Sequence, residues 1–193
     1  PGGDFHERWR ELLDIDKLTF VDPEIFVRIE TEQGNDGLTI YTNVDRLEMA
    51  LLKRTPRDAA AIGEFTDAVR SLGHFRMLDP SEGLAENWLP LLQDLPRFPL
   101  LLRLSPMSGK EYGRRFADPL LRRFLADGDI GQMSAIAMIF SLAWMHGRNA
   151  GYCVGGAQAL IRGIEATVRR LGGTVRFDAK VVKILVENDR AVG

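Results

Sequence analysis

Apolar residues recur along the chain at two different periods, and the changes between them set out its elements. In "DFHERWRELL", Phe5, Trp9, Leu12 and Leu13 stand at helical spacing with Arg and Glu between them. That spacing predicts an amphipathic helix with one buried face. The runs "FVRIETE" and "GLTIYTN" are β-branched or alternating instead, and they flank "QGND". Gly and Asn there supply the positive φ angles a reversal needs, so the pair predicts a β-hairpin over about 25–43 with one face on a core. Helical spacing then returns. "DRLE" from Asp45, with Glu48 three residues on, predicts a helix start with a reciprocal cap. In "TPRDAAAIGEFTDAVRSL" Thr55 can cap, Pro56 suits the first helical position and Asp58 suits the positive end of the dipole. Ala61, Ile62, Phe65, Val69 and Leu72 form the buried stripe behind them.

From Met77 to Pro106 prolines interrupt the pattern, which predicts short helical turns in a connection too apolar to be a solvated linker. Ser108 with Glu111 makes another capping box, and Asp118–Pro119 starts a helix that stops at Gly128. Gln132 to His146 is apolar nearly all round and predicts a buried helix. "AQALIRGIEATVRRLGG" predicts one more, with Leu160, Ile161, Ile164 and Val168 on its buried side and an end at Gly172–Gly173. The tail, "TVRFDAKVVKILVENDRAVG", then reads as strand, turn, strand, with Asp189 in the reversal.

Composition narrows what such a chain can do. An apolar share of 45% with mixed charge is that of a globular protein, and a net charge of −2 gives no global field to recruit nucleic acid. Cys153 is the only cysteine, which rules out an internal disulfide and makes a reducing cytoplasm the default. The longest apolar run, Met133 to Met145, is shorter than the ~20 residues a bilayer span needs. "PGG" is no natural initiation sequence and the tail ends on a strand without a partner, so an internal piece of a longer protein is expected.

Motifs of known chemistry are few. There is no GxGxxG, Walker loop, HExxH, Cys/His cluster for zinc or GxSxG, so no metal site is expected. His146 reads as a helix-end residue pairing with last-turn carbonyls or as a catalytic base. Arg114, Arg115, Arg122 and Arg123 read first as a solvated face paired with Glu111 and Asp118, and after that as an anion site. Met133, Met138, Phe140, Trp144 and Met145 suit an apolar ligand cavity or plain core. Gly155–Gly156, ahead of a helix, would let a pyrophosphate approach first-turn N–H groups, or would simply make a tight turn.

Taken as one unit, "GYCVGGAQALIRGIEATVRRLGGTVRFDAKVVKILVENDRAVG" resembles the stretch after the substrate domain in FAD-dependent phytoene desaturase-like oxidoreductases, of the amine-oxidase-like flavoprotein superfamily. "RLEMALLKRTPRDAAAIGEFTDAVRSL" and "FADPLLRRFLA" resemble earlier segments of that family more loosely. The resemblance implies an α+β fold. Residues 1–150 would be a mainly helical substrate-binding region with a small antiparallel hairpin. Residues 151–193 would return the chain to the FAD-binding domain as an edge βαβ-type piece. It also implies that the backbone of Val181 faces the adenine of FAD, that Gly155 and Gly156 shape the helix start beside the flavin domain, and that Asp118 and Arg122 are candidates for the active site.

The activity so implied is hydride transfer from a small apolar, carotenoid- or isoprenoid-like substrate to flavin. Such chemistry asks the protein mainly to position a greasy substrate and exclude water. The phosphate-binding GxGxxG of the family would lie upstream of Pro1, so this piece alone is expected to bind no FAD. Surface normally covered by the rest of the protein would favour a homodimer, and peripheral membrane contact stays open. A flavin amine oxidase and a stand-alone helical binding module without flavin are the alternatives.

Overall fold

The apolar stripe from Ile62 to Leu72 becomes the centre of the molecule. The protein is seen in a computed structural model that describes residues 4–32, 34–73, 75, 92–126 and 131–193, with side chains from residue 8 onward. Ile62, Phe65, Val69 and Leu72 lie at most 1% exposed on one side of a helix over Ala59–Leu72, here α3. Burying each such side chain contributes about 1.5–3 kcal/mol. Thr66 shares that buried side because its hydroxyl donates back to the carbonyl of Ile62 at 3.0 Å, so no polar group is stranded.

Before α3 come α1 (Asp4–Leu12), β1 (Phe20–Val21), β2 (Ile25–Glu30), β3 (Gly37–Tyr41) and α2 (Val44–Arg54). After it come α4 (Phe98–Leu104), α5 (Gly109–Gly113), α6 (Pro119–Ala126), α7 (Ala135–His146), β4 (Tyr152–Cys153), α8 (Gly156–Arg170), β5 (Val186–Glu187) and β6 (Arg190–Ala191). The described fold is α+β and mainly helical, with three two-stranded antiparallel pairs, β1–β4, β2–β3 and β5–β6.

The hairpin pairs Val27 with Ile40 and Ile29 with Leu38 on one face, and Leu38 and Ile40 are buried against α2 and α6. A register shift between Ile25 and Val27 marks a bulge at its start. Helix α3 packs on α2 and α7, and α5 packs on α6. Phe65, Tyr112 and Phe116 meet at ring-centroid distances of 5.9–6.3 Å in the middle of this layer. Helix α7 buries Ala135, Met138, Ile139, Leu142 and Ala143, while Ile136, Phe140 and Trp144 are half-buried.

Several expectations from the sequence are met locally. Ser108 and Glu111 form the reciprocal cap of α5. The oxygen that starts α6 belongs to Asp118, which accepts from the N–H of Leu121 at 2.9 Å. Others are corrected. Helix α2 is capped by Asn43, whose Oδ1 accepts from Arg46, and Asp45 with Glu48 instead grips Arg70 from α3. Thr55 makes no side-chain cap: Pro56–Asp58 forms a 3₁₀ turn, and the Thr55 hydroxyl donates to Asp58 Oδ2 at 2.8 Å. In α8, Leu160, Ile164 and Val168 are half-buried and Ile161 is 59% exposed, so no residue of that helix is fully buried. The tail holds only two-residue strands, reversed at Asn188–Asp189 with φ of 49° and 60°, and residues 174–185 form no strand. The readings for Phe5, residues 77–91 and the stop at Gly128 lie outside the residues or side chains described.

Candidate functional site

Asp118 and Arg122 lie one turn apart at the start of α6, joined by a backbone hydrogen bond of 3.0 Å, but their side chains turn to different partners. Asp118, 7% exposed, uses Oδ1 to cap its own helix and Oδ2 to accept from Arg54 Nε at 2.8 Å. Arg122 donates from Nε and Nη2 to the carbonyl of Phe116 at 3.2 and 2.8 Å. Both side chains are occupied in holding the α5–α6 corner.

That corner contains two residues that the sequence did not mark for it, Asp58, which it offered only to the dipole of α3, and Arg54. Asp58 is 6% exposed and accepts from the N–H groups of Ala117 and Asp118 at 2.9–3.0 Å as well as from Thr55. Burial alone would push its carboxyl up, but these donors outweigh that and hold it below the usual range. Arg54 binds Asp118 on one side. On the other it reaches both oxygens of Asp36 at 2.8 Å and the carbonyl of Gly37 at 3.0 Å. The Arg54 guanidinium lowers Asp36 to about 2, and Asp36 in turn raises Arg54. One guanidinium therefore ties the hairpin turn to the start of α6. A network of this sort, buried at Asp58 and Asp118 and open to solvent at Asp36, fixes geometry.

The glycine pair is arranged differently. Gly155 and Gly156 adopt φ of +89° and +65°, a left-handed region in which a side chain is strained. They turn the chain from β4, which pairs with β1, into α8, whose first-turn N–H groups carry no side-chain cap. A Cβ on Gly156 would stand in open space, so this turn can be approached from outside. Gly163, further along α8, would place a Cβ 3.2 Å from that of Leu13, and its bareness lets the helix lie close to the segment after α1. Cys153 sits in β4, half-buried, with its thiol toward the carbonyl of Val154. Val181, expected to face an adenine, is 75% exposed in the tail.

A second feature is a cleft of about 440 Å³ lined by Asp45, Arg70, Gly73, His146 and Gly147, where α2, α3 and the end of α7 meet. Arg70 is held there by Asp45 at 2.8 Å, by Asp67 at 3.1 Å and by Glu48. Hydrogen bonding with Glu48 and then Asp45 raises its pKa further. His146 does not pair with last-turn carbonyls: its Nδ1 accepts from the N–H of Val44 at 3.3 Å.

Among the described residues no group of three or more His, Cys, Asp or Glu is placed to hold a metal ion, and no helix is long and apolar enough to cross a membrane. No family model, curated protein or solved structure matches the chain.

Proposed function

We propose that the chain is the mostly substrate-binding portion of an FAD-dependent oxidoreductase of the phytoene desaturase-like kind, acting on an apolar, isoprenoid-like substrate. In this reading residues 1–150 serve the substrate side and 151–193 return to the flavin-binding unit as an edge βαβ-type element. The observation that carries it is the pairing, in the segment with the family resemblance, of two features. Its helix α8 opens on two left-handed glycines with uncapped N–H groups. Its tail leaves Phe177, Val181, Val182, Ile184 and Val186 at 60–88% exposure. The first suits close approach of an anionic group to a helix start, and the second suits an element completed by another sheet.

FAD, when bound, would accept hydride while the substrate also gives up a proton, leaving a new double bond. The chain's own part would be to seat the substrate against apolar surface. The half-buried Phe140 and Trp144 of α7, with ring centroids 5.5 Å apart and no charged residue between them, are suited to that. Asp118 and Arg122 enter the proposal as positioning residues, because their polar atoms are engaged in the α5–α6 corner.

The test is to purify the complete gene product and record its visible spectrum before and after adding apolar polyenes and, separately, amines. Bound FAD that bleaches with a polyene supports the proposal. Bleaching with amines alone favours a flavin amine oxidase. A folded product that neither contains nor takes up FAD overturns both and leaves a helical binding module.

A further inference from the structure

The cleft at the end of α7 holds a histidine whose hydrogen bond to α2 depends on its charge. Nδ1 of His146 accepts the N–H of Val44, the first residue of α2 and one of the helix-start donors that α2 cannot satisfy internally. The contact joins residues 102 apart in sequence and draws the end of α7 onto the start of α2. A nitrogen that accepts must be unprotonated, so this contact calls for a neutral ring with its proton on Nε2. When the ring is protonated both nitrogens become donors, and Nδ1–H then faces the N–H of Val44.

The surroundings offer the charged ring somewhere else to go. His146 lies in the last turn of α7, where the helix dipole favours a cation. The charged residues lining the cleft with it, among those described, are Asp45 from α2 and Arg70 from α3. Asp45 is 68% exposed at its side chain and already shares Arg70 with Glu48 and Asp67, so a second cation beside it meets an excess of carboxylates over arginine.

We propose that His146 makes the seam between α2 and α7 a pH-sensitive latch, closed on the Val44 N–H while the imidazole is neutral and released toward Asp45 when it is protonated. Release leaves the first N–H of α2 to water and opens the cleft, while Asn43 keeps its own hold on Arg46 at 2.9 Å. The Arg46 amide is thus an internal control within the same helix start.

The test uses the full chain and two readings, long-range proton–nitrogen spectra of the His146 ring and hydrogen-exchange protection factors of the Val44 and Arg46 amides. At a pH of about 7.5 the proton is expected on Nε2. Lowering the pH stepwise to about 5.5 is expected to cut Val44 protection in step with protonation of the ring, as its own spectra record it, while Arg46 holds. The expected loss is about five- to tenfold, the worth of one hydrogen bond. His146→Gln supplies an acceptor that does not titrate and should abolish the step; His146→Phe should lower Val44 protection at both pH values. A ring proton on Nδ1 at the higher pH overturns the proposal. So does Val44 protection that ignores the ring's titration, or a step that persists in His146→Gln. The wild-type spectra decide the matter even where a variant fails to fold.

Discussion

The helical layer between Ile25 and His146 and the segment from Gly156 to Gly193 are both rich in Leu, Ile and Val, yet they dispose of them in opposite ways. In the first, Ile40, Leu51, Ile62, Phe65, Leu72 and Leu121 are wholly buried. In the second, α8 has no buried residue, and Val181, Val182 and Ile184 are 75%, 88% and 64% exposed. The difference lies in how each kind of backbone is satisfied. A helix closes its hydrogen bonds internally and needs only a neighbour for one face, whereas a strand needs a partner along its length before its side chains can pack. The helices of the first region have such neighbours in one another, and the strand-like residues of the second do not.

The sharpest way to break that comparison is a matched pair of truncations. Phe65→Ala should cost about 3–5 kcal/mol. Val182→Ala should stay within about 0.5 kcal/mol, as for surface sites. Urea unfolding of the two variants checks both, and equal losses would mean that the tail packs on the same core. Next in size is Asp118→Ala, which strips the cap of α6 and leaves Arg54 without one of its two carboxylates. Its expected loss is about 3 kcal/mol, near the lower bound for breaking a buried pair. A loss of oxidase or desaturase turnover in the complete gene product without that loss of stability would make Asp118 catalytic instead.

Smaller still is Gly156→Ala, which forces a side chain into φ of +65° and should cost about 1–2 kcal/mol. Gly73→Ala, at ordinary φ with no contact closer than 3.5 Å, serves as its control in the same thermal melts.

The smallest effect concerns pH. Because Arg54 lowers Asp36 to about 2, the stabilisation it gives is fully present above the unfolded carboxylate value of about 3.9. It fades as pH falls from there toward 2. Asp36→Asn should flatten that part of the stability–pH curve and leave the curve above pH about 5 parallel to wild type.

What could be read from the sequence was what depends on near neighbours. The Ser108–Glu111 cap, the Asp118 cap, the hairpin around Gly34 and the stripe of α3 each rest on residues within a few positions, and each forms. The misreadings involve partners far along the chain. Asp58 fits the dipole of α3 by its position, but Ala117 and Asp118 claim its oxygens from 59 and 60 residues away. Asp45 and Glu48 have capping-box spacing, but Arg70 takes both, and Asn43 caps in their place. Arg54 gave no signal at all, since nothing local tells that it will bridge Asp36 and Asp118. In the tail, alternation along "VRFDAKVVKILV" gives strand propensity to residues that have no ladder to join.

In the proposed function the tail and α8 are surfaces that a flavin-binding unit completes. Hydrogen exchange along the complete gene product, with FAD bound and after it is stripped, tests this most directly. The prediction is that amides of residues 156–193 gain protection only with FAD, while those of Ile62 to Leu72 are equally slow in both states. Residues 156–193 exchanging equally fast with and without bound flavin would contradict it.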